Sequence, residues 1–144
     1  MTLTQHLAAT GVAAAIIAPR CSALELLIFA CGSVLIDADH LIFYYTRRKS
    51  WDVAGMFRYF REDVDKHLDA IPYLGVCIFH TAEFILAVAL LSQPFPLIRL
   101  ILLGMIFHLL LDTFDLIRLK IPFIRAYSLA EHLIRRRRPG YPFC

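Results

Sequence analysis

Histidines and carboxylates interrupt every apolar stretch of this chain, and no other feature restricts its folding as much. The apolar segments cover residues 7–18, 24–36, 71–91 and 97–111. His6 opens the first. The run Val34-Leu35-Ile36-Asp37-Ala38-Asp39-His40 closes the second. His80 and Glu83 interrupt the third, and His108 and Asp112 the fourth. A charged side chain at the centre of a membrane helix costs about 2.5–3.5 kcal/mol. Asp37, Asp39, Glu83 and Asp112 together demand compensating charge, and two divalent cations would supply it. Histidine with Asp and Glu suits zinc or a similar borderline ion.

The chain is apolar enough for that reading. Of its 144 residues 59% are hydrophobic, and the mean hydropathy is +0.63. Soluble domains have roughly 45–50% apolar residues even with glycine counted. A small all-α, polytopic membrane helix bundle is expected, with about four membrane helices and two amphipathic surface helices. One domain is the default at this length, with residues 1–125 as core bundle and 126–144 as a basic C-terminal helix and tail. With the N-terminus cytoplasmic, the loop between the second and third helices and the C-terminal region hold 13 of the 15 basic residues. Only Arg20 and Arg99 fall on the other side. The positive-inside rule expects that asymmetry, with both termini cytoplasmic. No Lys or Arg precedes the first apolar run, which argues against a cleaved signal peptide. Cys21, Cys31, Cys77 and Cys144 have no CxxC spacing and read as small hydrophobes rather than a disulfide framework.

Local signals place the helices. The first spans about 4–18 and stops at Pro19. Ser22 with Glu25 has capping-box spacing and starts the second, which continues to about Arg47. Ser50 caps an amphipathic segment, 51–65, whose Trp51, Met56, Phe57, Tyr59 and Phe60 suit a membrane surface. Pro72 opens the third helix. Residues 93–96 form a tight turn, the fourth helix covers about 97–119, and a basic amphipathic helix covers 129–137. Strand signals are weak. No Gly-rich phosphate loop or nucleotide motif is present, and no direct nucleic-acid binding is expected.

His108 and Asp112 are four apart and share a helix face, and Asp115 extends it. Gly104, four before His108, lets another backbone come close. Asp37 and His40 share a face three apart. Asp39 points nearly opposite, so either the helix is distorted there or Asp39 orients a ligating histidine. His80 and Glu83 lie about 13–18 Å into the third span at 1.5 Å per residue. His6 reads equally as a ligand or as an exposed terminal histidine. His67 and His132 lie in charged segments and read as surface residues. Alternating helix directions bring His6, Asp37, His40, His80, Glu83, His108 and Asp112 to one depth, as in carboxylate-histidine bundle sites.

His6, the Gly32-to-His40 run with its D-x-D-H ending, His80 and the His108-x-x-x-Asp112 pair resemble the membrane-bound metal-dependent hydrolases also described as LexA-binding, inner-membrane-associated hydrolases. That family is grouped with the all-α zinc-dependent phospholipases C and single-strand-specific nucleases. The resemblance covers about residues 3–116. Members usually have Pro before the first Asp, where this chain has Ile36. Many carry an H-R-G-x-T-H-S run where this chain has Phe79-His80-Thr81-Ala82-Glu83. The resemblance implies an inner-membrane location and a reaction class, metal-dependent hydrolysis, without a defined substrate.

The expected function is a membrane-embedded phosphoesterase acting on phospholipids or lipid phosphates at the cytoplasmic face. It would hold two or more divalent ions, zinc or alternatively manganese, on the seven residues above. Asp39 would be a general base or an orienting group, and Asp115 an orienting group. Arg47, Arg48 and Lys49 would attract an anionic head group or serve only to set topology. The alternatives are a metal carrier or sensor without catalysis, and an interaction protein whose Arg135 to Arg138 tail holds anionic lipid or a cytoplasmic partner. The sequence leaves the oligomeric state open.

Overall fold

The computed structural model describes residues 3–68, 70–138 and 141; the end of the basic tail, with Cys144, lies outside them. The chain is helical almost throughout. Helix α1 (Leu3–Ile17) ends where Pro19 enters a 3-10 turn, Ala18–Arg20. Ser22 caps α2 (Ala23–Leu35) with both bonds of the expected capping box. A 3-10 turn, Ile36–Ala38, joins α2 to α3 (Asp39–Arg48) without a break. Asp52, rather than Ser50, caps α4 (Val53–Tyr59) by accepting from Ala54 N–H at 3.0 Å. Ser50 instead accepts from Asp52 N–H.

The expected third span does not form as one helix. Pro72 has no amide to donate, and Gly75 sits at φ 138°, a backbone conformation that favours glycine. Instead β1 (Gly75–Val76) runs extended, and helix α5 (Ala82–Leu91) starts only at Thr81, whose hydroxyl accepts from Phe84 N–H. Helix α6 (Pro96–Arg118) follows the short turn. Then β2 (Arg125–Ala126) pairs in parallel with β1, Gly75 opposite Arg125 and Val76 opposite Ala126. Bonds from Leu74 N–H to the Ile124 carbonyl (2.7 Å) and from Ala82 N–H to the Tyr127 carbonyl (2.8 Å) flank this staple. Ser128 caps the last helix, α7 (Leu129–Arg135).

Among the described residues two helices therefore have the length and apolar composition of a membrane span: the continuous α2–α3 rod of 26 residues and α6 of 23. At 1.5 Å per residue both exceed the roughly 30 Å of a hydrocarbon core. The 15 residues of α1 and the 10 of α5 fall short of it. The four full spans expected from hydropathy thus reduce to two, because Pro19 stops one helix and the staple replaces the first half of another.

The tightest contact is between α2 and α6. A methyl on Gly104 would collide with the Phe29 carbonyl oxygen, and one on Gly32 with the Ile101 carbonyl. Such small-residue contacts let helix backbones touch. Helix α1 lies against both, with Thr10 Oγ1 2.7 Å from Ser33 Oγ. Beyond the α2–α6 contact a second apolar cluster joins Phe43 and Tyr44 of α3, Met56 and Tyr59 of α4, and Ile71, Leu74, Cys77 and Ile124. So Met56 and Tyr59 pack inward rather than facing a surface. Trp51 is exposed and stacks on Tyr45 at 4.4 Å. Arg47 donates to the Leu74 carbonyl at 2.9 Å, and Arg48 pairs with Asp63 at 2.7 Å. Arg47 is thus tied into the fold, while Arg48 makes an exposed surface pair.

His67 is exposed as expected, but His132 is half-buried, with Nδ1 2.7 Å from the Tyr73 hydroxyl. Burial, with Arg136 and Arg47 adding to it, lowers the His132 pKa below its ordinary value. Burial above all raises Tyr73, to about 12, so its hydroxyl keeps its proton beside the His132 ring.

Two outcomes follow. Gly104→Ala should destabilise the protein by about 1–3 kcal/mol through forced helix separation. Gly11→Ala, with nothing within 4 Å of the added methyl, should raise stability by about 0.5–1 kcal/mol. Thermal melts of both variants in detergent measure the contrast. For His132, the unfolded state binds the proton more readily than the folded state. Its contribution should be undiminished above about pH 6.5 and decline as pH falls through that value. Melts across pH 5–8 should show a shallower acid-side loss in His132→Gln than in the parent.

Candidate metal centre

Five elements of the fold carry polar groups, most of them buried, to one point. His6 comes from α1, Asp37 from the 3-10 turn, Asp39 and His40 from α3, His80 from the turn before α5, and His108 and Asp112 from α6. The tightened turn explains why Asp37 and Asp39 both reach the centre. Moving from about 3.6 to about 3 residues per turn rotates them some 40° closer than an ideal α-helix would. Of the two alternatives the spacing left open, a distorted helix and an orienting Asp39, the structure shows the distortion, and Asp39 also bonds His80.

His108 anchors the arrangement and is 0% exposed. Its Nδ1 lies 2.7 Å from the Ser33 carbonyl oxygen. A carbonyl only accepts, so Nδ1 carries the proton and Nε2 faces the cluster. His80 is held in the same way by a carboxylate, with Nδ1 3.1 Å from Asp39 Oδ2. Asp39 Oδ2 also accepts from Phe79 N–H at 2.8 Å. The two Nε2 atoms then lie 3.4 Å apart. Asp37 Oδ1 is 3.2 Å from the His108 Nε2 and 3.5 Å from the His80 Nε2. Asp112 Oδ2 is 3.7 Å from both.

These separations pass a test for a bound cation. The ligand atoms of a tetrahedral zinc site, about 2.0–2.2 Å from the ion, stand roughly 3.3–3.6 Å from one another. Ring nitrogens turned toward each other and toward a carboxylate are also the expected ligand types. Three groups among the described residues could each hold an ion, with ligand atoms within 4.8 Å of one another: Asp37, His80 and His108; His6, His108 and Asp112; and Asp39, Cys77 and His80. His80 and His108 are each shared by two of them.

His6 is buried, not exposed. Its ring stacks on His108 with centroids 4.2 Å apart, and its Nε2 lies 3.0 Å from Asp112 Oδ1. Its Nδ1 is buried without a hydrogen-bond partner among the described residues. His40, an expected ligand, is in none of the three groups; its side chain is a quarter exposed, with Nδ1 buried 3.2 Å from Asp39 Oδ1 and 3.4 Å from Asp37 Oδ1.

Two expected members stand apart. Glu83 is not in the cluster: its Oε1 accepts from the Ser128 hydroxyl at 2.6 Å and from Leu129 N–H at 3.0 Å, at the start of α7. Because α5 begins at Ala82 rather than at Pro72, Glu83 occupies an exposed first turn instead of a mid-helix position. Asp115 is in none of the three groups, and its Oδ1 pairs with Arg118 at 3.0 Å.

Three participants were not singled out from the sequence. Ser33 holds both Thr10 and His108 and gave no signal beyond its place beside Gly32. Cys77 was read as a core hydrophobe, yet its sulfur faces Asp39 and His80. Burial, with the Asp39 charge, pushes its thiol well above the usual range. Arg125 was counted only as a topology charge. It is 7% exposed, and its Nη1 donates to Asp112 Oδ2 at 2.8 Å. A usable signal existed, since Arg125 sits between the apolar Ile124 and Ala126.

Comparisons with protein-family models, with curated proteins and with solved structures return no match for this chain.

Proposed function

We propose that this chain is a membrane-embedded, metal-dependent hydrolase of phosphate esters, in keeping with its resemblance to the membrane-bound metal-dependent hydrolases. The observation that carries the proposal is the pair of facing Nε2 atoms, 3.4 Å apart, on histidines whose Nδ1 atoms are already committed to Ser33 and Asp39. Imidazoles fixed by a carbonyl or a carboxylate on the far nitrogen are the usual ligands of a catalytic metal. The bilayer setting is supported by the two span-length helices and by the exposed Leu27, Leu103, Leu110 and Phe114 on their outer faces. A multi-pass inner-membrane location with both termini cytoplasmic remains part of the proposal.

Asp37, His80 and His108 would hold the ion, zinc or alternatively manganese, with three protein ligands and a position left for water or substrate. A bound divalent ion supplies Lewis acidity toward a phosphoryl oxygen and makes water a nucleophile near neutral pH. Asp39 acts through His80, keeping the Nδ1 proton in place and the ring aimed. Of the two roles foreseen for Asp39, orientation fits its two occupied bonds better than proton abstraction. His40, at the open rim, is the group placed to take a proton. His6 and Asp112 flank the centre and are the donors for a second ion. A substrate with its phosphate at the membrane surface, such as a phospholipid or lipid phosphate, reaches this depth without a water-filled channel.

Purified protein in detergent should contain at least one equivalent of divalent metal by elemental analysis. It should hydrolyse some member of a panel of phospholipids, lipid phosphates and soluble phosphate esters. Chelator should abolish turnover and zinc or manganese restore it, and His108→Ala should be inactive with its helical circular dichroism retained. Metal bound without turnover above the His108→Ala background would favour a carrier or sensor instead. Asp39→Asn should weaken metal affinity about 10–100-fold, measured by competition with a chelating dye. Unchanged affinity there would remove Asp39 from the proposal.

A further inference from the structure

Arg125 carries more than the neutralisation of Asp112. Its guanidinium is buried, yet only Nη1 has a partner in the centre, the Asp112 carboxylate at 2.8 Å. Nε and Nη2 are buried and without a hydrogen-bond acceptor among the described residues. These two nitrogens lie on one edge of the planar group, with their N–H bonds nearly parallel. That edge is the fork with which arginine grips two oxygens of one phosphate or carboxylate. Leaving charged donors buried and unmatched is unfavourable. If Arg125 served only as the counter-ion of Asp112, a lysine would do so with fewer donors to satisfy.

The position of the fork is fixed from three sides. The β1–β2 pairing sets the Arg125 backbone against Gly75. The Tyr127 ring lies 5.9 Å from the guanidinium carbon. Asp112 holds Nη1, and the same Asp112 oxygen is 3.7 Å from the Nε2 atoms of His80 and His108. The guanidinium is thus tied through Nη1 and one carboxylate to the candidate metal ligands, with its Nε/Nη2 edge left unmatched among the described residues.

We propose that the Nε/Nη2 edge of Arg125 is an oxyanion-binding site that grips two oxygens of the substrate's phosphoryl group. The phosphoryl class rests on the hydrolase reading above; the anion site itself rests on the unpartnered edge. Arg125 would select esters with two free phosphoryl oxygens over neutral ones.

The test titrates the purified protein with inorganic phosphate, followed by calorimetry, and repeats the titration with short-chain phosphatidic acid. Arg125→Lys keeps a cation beside Asp112 but removes the fork, and it should bind phosphate at least tenfold more weakly than the parent. Arg125→Gln, which retains one amide donor toward Asp112, provides the same comparison should the lysine variant fold poorly by circular dichroism. Tighter binding of phosphatidic acid than of phosphate, lost in the same variants, identifies a lipid source; equal or weaker binding identifies a soluble one. Phosphate affinity unchanged in both variants, or no saturable binding by the parent, overturns the proposal. The two readings fail separately. Arg125-dependent phosphate binding without any hydrolysis removes the hydrolase and leaves the anion site. Chelator-sensitive hydrolysis with Arg125-independent phosphate binding does the reverse.

Discussion

The bond between His108 Nδ1 and the Ser33 carbonyl is the interaction on which the rest of the centre depends. It can form only where α2 and α6 touch backbone to backbone, and Gly32 and Gly104 permit that contact. Ser33 lies in the last turn of α2, where carbonyls lack an α-helical partner, so its carbonyl is available to fix a side chain on another helix. The fixed tautomer then decides which nitrogen faces Asp37 and His80. Packing, hydrogen bonding and ligand orientation are thereby one problem with one solution. A methyl group on either glycine would disturb all three.

Charge is handled by proximity rather than by exposure. Asp37, Asp39 and Asp112 lie among four histidines and one arginine, and ionised carboxylates at such depth are tolerated only with partners of this kind. Asp112 alone is met by His6 on one oxygen and by Arg125 on the other. The surrounding wall is Leu, Ile, Val and Phe. Around the centre α2 and α6 expose Leu27, Leu103, Leu110 and Phe114, while the separate cluster around Phe43, Tyr59 and Ile71 buries its apolar groups as a soluble core does.

Much of this was legible in residue spacing. The His108–Asp112 pair rests on helical periodicity and the Ser22–Glu25 box on capping, and both survive in the fold, whereas the D-x-D-H run converges through a 3-10 turn that periodicity alone does not give. Glu83 was misplaced because periodicity says nothing about where a helix starts. An apolar run from Ile71 looks continuous although its first half is extended. Arg125 and Cys77 stayed hidden for a related reason. Their positions come from a two-residue parallel pairing between distant segments, and no local pattern encodes such a partner. His6 was undecided because burial of a terminal residue depends on what the helix crosses, here α2 and α6.

That pairing has a consequence for how the molecule is made. Gly75 meets Arg125 across a loop of roughly fifty residues containing α5 and α6, and closing a loop of this length is entropically unfavourable until the intervening helices are in place. Nothing local stabilises a two-strand bridge of two residues, so it belongs to the end of folding and not to its nucleus. Cys77, His80 and Arg125 join the centre only at that closure. For the proposed membrane hydrolase, the apolar helices would then insert with the chemistry still unassembled, and cation capture would wait until the C-terminal segment has returned to residue 75.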